Sequence, residues 1–156
     1  MNDESTGVRE VSEGKAEICA DILRDLPGWF GFPGAVEGYS RSIRELPTWI
    51  CEAGGGAVGI VSLKVHGRFS AEIHLLAVKR EWHRRGIGRA LLDRAETRAR
   101  DLGLPFLTLK TVADEDPDPG YARTRTFYLT MGFYPLEVFK TLFKSGDPCL
   151  FMVKPL

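Results

Sequence analysis

Basic side chains and two closely spaced glycines stand together in residues 78–92, VKREWHRRGIGRALL. Gly86 and Gly88 have G-x-G spacing, and an apolar run rich in alanine and leucine follows them. A helix that begins here would have unpaired N–H groups in its first turn, and its dipole would favour an anion there. Glycines let the backbone approach such a ligand closely, and neighbouring arginines add charge-assisted hydrogen bonds. The pattern indicates either a pyrophosphate site or a solvated basic turn, and G-x-G alone does not distinguish the two.

The composition is that of a soluble globular protein. The chain has 156 residues, of which 44% are hydrophobic and 27% charged. We therefore predict one domain over residues 1–156, with residues 1–12 flexible apart from a short strand near Val8–Val11. The 21 basic and 21 acidic residues balance. This balance argues against a nucleic-acid-binding protein, although it allows a local site for a small anion.

The cysteines and the hydropathy of the chain predict its compartment. Cys19, Cys51 and Cys149 lie far apart and form no C-x-x-C pair. Such a set is typical of a reducing environment, and it disfavours a disulfide framework and a structural zinc site, so we predict no bound metal. The polar N-terminus has no apolar signal-peptide core, and no run of about 18 apolar residues could cross a membrane. We therefore predict a cytoplasmic protein without a membrane partner.

Hydrophobic periodicity predicts helices that alternate with strands. The predicted helices are 15–26, 34–46, 88–102 and 122–131, and the predicted strands are 48–53, 57–65, 70–78, 105–112, 134–143 and 149–154. Helix 88–102 has an apolar stripe, formed by Leu91, Leu92, Ala95, Ala99 and Leu102. Because this helix separates strands 70–78 and 105–112, we expect a crossover with these two strands parallel. The predicted fold is α/β (α+β), with a mixed, mainly antiparallel central sheet of about six or seven strands flanked by about four helices.

Two segments together resemble one protein family. VKREWHRRGIGRALL is similar to the acyl-CoA-binding signature of the GNAT superfamily of N-acetyltransferases, Q/R-x-x-G-x-G/A at a strand-to-helix junction. His83 stands at the Q/R position, which is a departure from that pattern. The later segment TFYLTMGF, residues 126–133, resembles the superfamily's F-Y-x-x-x-G-F. The order and spacing of the two motifs, with the strands of 48–78 and the crossover helix, extend the resemblance over nearly the whole chain.

The resemblance implies acetyl-CoA as the cofactor. Backbone amides beside the end of strand 70–78 would polarise the thioester carbonyl, and loop amides would bind the pyrophosphate. Many members bond the pantetheine arm with an asparagine. This chain has Tyr121 at that position, which is a departure from the pattern, and Arg123 or Arg125 could make the contact instead. The residues thus assigned to the cofactor are Leu76, Ala77, Val78, His83, Arg84, Arg85, Gly86, Ile87, Gly88, Arg89, Ala90 and Tyr121.

Three residues are candidates for proton transfer if the resemblance holds. A lysine-like acceptor amine has a pKa of about 10.4 and must lose a proton before it can attack. Glu72 and His74 alternate onto one face of strand 70–78, and Glu72 lies 14 residues before Gly86, as does the glutamate base of histone-acetylating members. Either could be the base, or water could take the proton, and each could instead be an ordinary polar strand residue. Tyr128 matches the general-acid tyrosine of the superfamily, which protonates the departing thiolate; otherwise it is a core residue.

The acceptor side is predicted less specifically. In the superfamily, the first two helices and their connection usually select the substrate, and here that connection is LPGWFGFPGAVEGY, residues 26–39. Trp29, Phe30, Phe32 and Tyr39 could line a pocket for an ammonium group through cation–π attraction, or could cap the core. The acidic loop formed by Asp114, Glu115, Asp116 and Asp118 could attract a cationic acceptor, or could simply be solvated.

The sequence therefore predicts an acetyl-CoA-dependent N-acetyltransferase that acts on a primary amine of an unidentified small molecule or peptide. The alternative is a GNAT-like domain that binds acyl-CoA as a sensor without catalysis. A third interpretation is a basic interaction module without a cofactor. Homodimers are common in the superfamily, although no stretch of this chain requires one.

Overall fold

The computed structural model describes residues 7–113 and 119–156. Within these ranges the chain forms five helices and seven strands. The helices are α1 Lys15–Arg24, α2 Pro27–Phe30, α3 Ala35–Ser42, α4 Ile87–Asp101 and α5 Pro119–Thr130. The strands are β1 Gly7–Val11, β2 Thr48–Ala53, β3 Gly56–His66, β4 Ser70–Val78, β5 Phe106–Val112, β6 Tyr134–Phe139 and β7 Cys149–Pro155. The first part of the segment predicted to be flexible and the acidic loop lie outside the described residues.

The strands form one mixed sheet, which confirms the predicted fold class. Their order in the sheet is β1-β2-β3-β4-β5-β7-β6. β4 and β5 are parallel, as expected for strands joined by the crossover helix α4. β1 and β2, β2 and β3, β5 and β7, and β6 and β7 pair antiparallel. The short strand predicted near Val8–Val11 is β1.

Several predicted boundaries are wrong, mainly next to prolines. The first helix ends at Arg24, and Pro27 begins the one-turn helix α2 instead of only ending α1. Proline suits the first helical position because its fixed φ is already helical and its missing N–H needs no partner there. The predicted helix 34–46 is α3 followed by a 3₁₀ turn at Ile43–Glu45. Strand β6 ends at Phe139, earlier than predicted.

The chain forms two compact units. The first unit comprises the residues up to Lys64 together with His74–Arg98. Its core joins one face of α1 to the sheet, and fully buried members include Ile22, Leu23, Ile43 and Ile60. Cys19, Ile22 and Leu23 have the i, i+3, i+4 spacing that places side chains on one face of a helix.

The second unit comprises Val65–Ile73 and Ala99–Leu156. Leu107 and Leu109 of β5 are buried, as are Met152 of β7 and Phe133.

In the stripe predicted for helix 88–102, four of the five residues are fully buried, but Leu102 is exposed. Leu102 lies after the last residue of α4, so the helical periodicity no longer applies to it.

Gly59 of β3 lies against the beginning of α4. A Cβ at Gly59 would come within 2.8 Å of Leu91 Cδ1 and 3.0 Å of Ile87 Cγ2. Both side chains are buried, so they cannot move without disturbing their neighbours. We expect Gly59→Ala to destabilise the protein by about 1–3 kcal/mol. Thermal unfolding tests this, with Gly56→Ala on the same strand as the control, since a Cβ at Gly56 meets nothing within 4 Å. Equal melting temperatures for the two variants would contradict the expectation.

Candidate active site

The loop between β4 and α4 has the backbone geometry of an anion site. After Val78 the chain makes a 3₁₀ turn at Arg80–Trp82, and α4 begins at Ile87. Arg84 has φ 63° and Gly86 has φ 79°. The left-handed conformation costs glycine nothing, but it is uncommon for arginine. Because β4 ends before this loop and α4 begins between the two glycines, the predicted strand-to-helix junction is confirmed.

The first turn of α4 presents its amides at this loop. The N–H of Ala90 donates to the carbonyl oxygen of Gly86 at 3.1 Å and is the first to bond within the helix. The N–H groups of Ile87, Gly88 and Arg89 precede it, and they have no acceptor within the helix. A Cβ at Gly86 would meet nothing within 4 Å, so the backbone is open on that side. This surface fits a phosphate or pyrophosphate group.

Side chains of the loop hold its shape. His83 Nε2 lies 2.6 Å from the carbonyl oxygen of Val78, and because a carbonyl only accepts, this nitrogen carries the proton. The N–H of Arg80 donates to Asp25 Oδ2 at 2.7 Å. The guanidinium of Arg85 lies over the ring of Trp82, 4.7 Å from its centroid. Arg84 and Arg89 are exposed at the loop surface.

β4 supplies the segment predicted to face the thioester. Ala77 is buried, and Leu76 and Val78 are half-buried. The N–H of Lys79, the next residue, donates to the carbonyl oxygen of Val58 at 2.8 Å. This bond and the hydrogen bond from His83 to the Val78 carbonyl oxygen together hold the end of β4.

His74 lies in the first unit and belongs to a hydrogen-bonded chain. Its Nε2 is 2.7 Å from Ser42 Oγ, and the Ser42 hydroxyl donates to the carbonyl oxygen of Tyr39 at 3.0 Å. The single Ser42 proton is used in that bond, so His74 Nε2 must donate to Ser42 Oγ. In the neutral imidazole the lone pair is then on Nδ1.

Two aromatic residues predicted for the acceptor side contact the rings of His83 and His74. The Trp29 ring meets His83 edge-on at 5.9 Å, and Tyr39 meets His74 at 5.8 Å. Phe30 packs edge-on against Tyr39 at 5.4 Å. Trp29, Phe30 and Tyr39 are partly buried against the core, whereas Phe32 is exposed. Three of these rings therefore help to cap the core, and their role in acceptor binding stays a prediction.

Glu72 lies in the second unit, at the last pair between β4 and β5. Ser70, Ala71 and Glu72 are in register with Phe106, Leu107 and Thr108. The buried carboxylate of Glu72 has two partners, His66 Nε2 at 2.8 Å from Oε1 and Lys110 Nζ at 3.5 Å from Oε2. A buried charge requires such partners, because it has lost its hydration.

His66 and Lys110 were not predicted from the sequence. Lys110 could have been found from the parallel register, which places β5 residues 108–110 beside the carboxylate. Burial raises the pKa of the nearby Cys149 thiol; Lys110 lowers that pKa and Glu72 raises it further. Glu72 and His74 thus have different partners, although they stand two residues apart on β4.

Tyr128 is a buried residue of α5 in the second unit. Its ring contacts Phe127 at 5.4 Å and Phe133 at 5.9 Å. The helix is attached to the end of β5 by Arg125, whose Nη1 donates to the carbonyl oxygens of Val112 and Ala113 at 2.9 and 3.0 Å. This nitrogen of Arg125 is therefore engaged with the protein backbone. Tyr121 is half-buried near the start of the same helix.

Residues 7–113 and 119–156 hold no group of three or more His, Cys, Asp or Glu side chains that could bind a metal ion. Within the same residues, no helix has the length and apolarity needed to cross a membrane.

Comparison with known proteins identifies the family. No curated protein matches the sequence significantly. The fold is similar to that of a GNAT-family protein from Desulfovibrio desulfuricans, with a TM-score of 0.82 and 19% identity over 97% of this chain and 99% of the other.

Two other similar structures were solved with a ligand. The GNAT acetyltransferase from Elizabethkingia anophelis, with acetyl-CoA bound, has a TM-score of 0.76 and 17% identity over 99% of each chain. An aminoglycoside 6'-N-acetyltransferase complexed with coenzyme A has a TM-score of 0.74 and 15% identity over 96% of each chain. The TM-scores show a shared fold, and at these low identities they show no more than the fold. The sequence itself matches the acetyltransferase (GNAT) family over residues 17–133, which is most of its length, and the chain therefore belongs to that family.

Proposed function

We propose that this protein is an acetyl-CoA-dependent N-acetyltransferase, a single domain that transfers an acetyl group directly to a primary amine. The observation that supports this most strongly is the β4–α4 loop, where Gly86 has φ 79° and the first amides of α4 follow. This anion-binding geometry occurs at the position of the acyl-CoA signature in a chain that belongs to the GNAT family.

The cofactor residues have separate tasks in this proposal. The amides from Arg84 to Arg89 bind the pyrophosphate, and the exposed arginines add charge-assisted hydrogen bonds. The N–H of Ala90 is not one of these free donors, because it donates to the carbonyl oxygen of Gly86. Bound acetyl-CoA supplies the acetyl group as a thioester. Backbone N–H groups of Leu76–Val78 polarise the thioester carbonyl, and such donors typically contribute about 3–4 kcal/mol each to transition-state stabilisation.

The transfer removes two protons from the acceptor nitrogen and delivers one proton to the departing sulfur. The acceptor ammonium gives a proton to a base, and the neutral nitrogen attacks the acetyl carbonyl carbon. A C–N bond forms, the C–S bond breaks, and the sulfur leaves as a thiolate. The bonded nitrogen loses its second proton, which balances the proton that the thiolate takes up. Glu72 is the proposed base, because its carboxylate is buried and hydrogen-bonded to the imidazole of His66. His74 is the other candidate, with its neutral lone pair on Nδ1.

Tyr128 is proposed to protonate the thiolate. A tyrosine hydroxyl is protonated at neutral pH and can donate. The ring is held on two sides by Phe127 and Phe133, and Arg125 fixes the helix that presents it. Such restraint keeps a donor in one position, which general acid catalysis requires.

The acceptor is proposed to bind beside Trp29, Phe30, Phe32 and Tyr39, whose rings would attract an ammonium. The presence of three free, buried cysteines supports a reducing compartment, and we propose the cytoplasm.

The test combines acetyl-CoA binding with turnover. A ligand present at 100 times its Kd should stabilise the protein by about 2.7 kcal/mol, which raises Tm by several degrees in a domain of this size. Release of free coenzyme A thiol is then measured with a panel of primary amines. A thermal shift with amine-dependent thiol release supports the proposal. A shift without release from any amine would favour a sensor that binds acyl-CoA, and no shift at saturating acetyl-CoA would refute the cofactor assignment.

A further inference from the structure

The two ionisable partners of Glu72 are both more exposed to solvent than its carboxylate, and they differ in their chemistry. The Glu72 side chain is 11% exposed, whereas the side chain of His66 is 43% exposed. His66 Nε2 lies 2.8 Å from Glu72 Oε1, so one hydrogen bond joins the shielded carboxylate to a ring that water reaches.

A general base must lose the proton it has accepted before the next turnover. Within residues 7–113 and 119–156, the titratable groups around Glu72 are His66 from β3, Lys110 from β5 and Cys149 from β7. A lysine ammonium has three donors and no lone pair, so Lys110 cannot accept the proton in its charged form. Cys149 is fully buried and cannot pass a proton to solvent. Histidine exchanges protons between about pH 5 and 8, and His66 is also exposed.

We propose that His66 positions Glu72 and returns its proton to solvent after each transfer. This inference rests on the proposed function, with Glu72 as the base. While Glu72 is a carboxylate, the N–H at His66 Nε2 donates to Oε1. Once Glu72 has taken the proton of the acceptor ammonium, the exposed His66 ring loses its Nε2 proton to water and takes a proton from water at Nδ1, with no net change in its protons. The Nε2 lone pair of this tautomer then accepts the proton from Oε1. The imidazolium then gives a proton to water or buffer, and both groups return to their initial states.

The test compares His66→Gln with two matched variants, Lys110→Gln and Glu72→Gln. Glutamine at position 66 can still donate a hydrogen bond, but its amide cannot accept a proton from Glu72 and release it to solvent. The kcat for the active amine is measured in dilute buffer and then with increasing imidazole. In dilute buffer, His66→Gln should lower kcat about tenfold, leave the KM for acetyl-CoA unchanged, and recover as imidazole is added. Lys110→Gln removes the other charged partner of Glu72, and its rate should not respond to imidazole.

The outcomes separate this inference from the function on which it rests. If Glu72→Gln is slow but His66→Gln has the wild-type rate, or a reduced rate that imidazole does not restore, the relay is refuted and Glu72 remains the base. If Glu72→Gln has the wild-type rate, Glu72 is not the base, and the relay is refuted while the acetyltransferase assignment stands. If the wild-type protein releases no thiol with any amine, both proposals fail together.

Discussion

Replacing Tyr128 with phenylalanine should lower kcat on the order of 10²-fold, because the thiolate then leaves without its proton donor. The phenylalanine ring can keep the contacts with Phe127 and Phe133, so the acetyl-CoA thermal shift should persist. Steady-state kinetics with a saturating amine, together with thermal shifts, separate this loss of catalysis from a loss of binding.

Tyr134 provides the matched control for that substitution. It lies on β6 in the second unit, and it is 64% exposed. Tyr134→Phe also removes one phenolic hydroxyl, and it should leave kcat unchanged. A wild-type kcat in Tyr128→Phe would mean that the thiolate takes its proton from another source, and Tyr128 would then be a core residue.

The second large effect is expected at Gly86. An alanine there must either hold the left-handed backbone, at a cost of about 1–2 kcal/mol, or change φ and turn the following amides away from the phosphates. A hydrogen bond to a charged group contributes about 1.5–3 kcal/mol, so the loss of one such bond should weaken acetyl-CoA binding on the order of 10–100-fold. Calorimetric titration of Gly86→Ala with acetyl-CoA measures this loss directly.

Gly55 matches Gly86 in the properties that control the strain. It has φ 87° and nothing within 4 Å of a Cβ, and it lies in the first unit, in the turn between β2 and β3. Gly55→Ala should therefore lower Tm about as much as Gly86→Ala, with unchanged affinity for acetyl-CoA. Equal affinities in the two variants would show that the Gly86 loop does not bind the cofactor.

The position of the candidate cofactor loop could be predicted because its signals are local. The glycine pair marks the start of α4, the apolar stripe defines the helix, and the crossover rule then makes β4 and β5 parallel. The helix α2 was not predicted, since Pro27 is equally suited to end one helix and to begin another. The left-handed φ of Arg84 was also missed, because no sequence pattern marks a strained arginine.

The partners of the candidate bases could not be predicted in the same way. His66 and Glu72 contact each other across the turn between β3 and β4, and such side-chain contacts depend on strand twist and rotamers. Ser42 and His74 are 32 residues apart, and they meet only after α3 has packed in the first unit. The chemistry of each side chain is therefore readable from the sequence, whereas the group that it faces is set by tertiary packing.

The buried cysteines allow local unfolding of the chain to be measured by thiol labelling. Cys19 and Cys51 are 0% and 1% exposed in the first unit, and Cys149 is 0% exposed in the second. Burial also raises the pKa of each thiol, so the reactive thiolate is scarce while the fold is intact. A thiol-specific reagent will thus detect released coenzyme A with little background from the folded protein. Over longer times, the order in which the three cysteines become labelled will show which unit opens first.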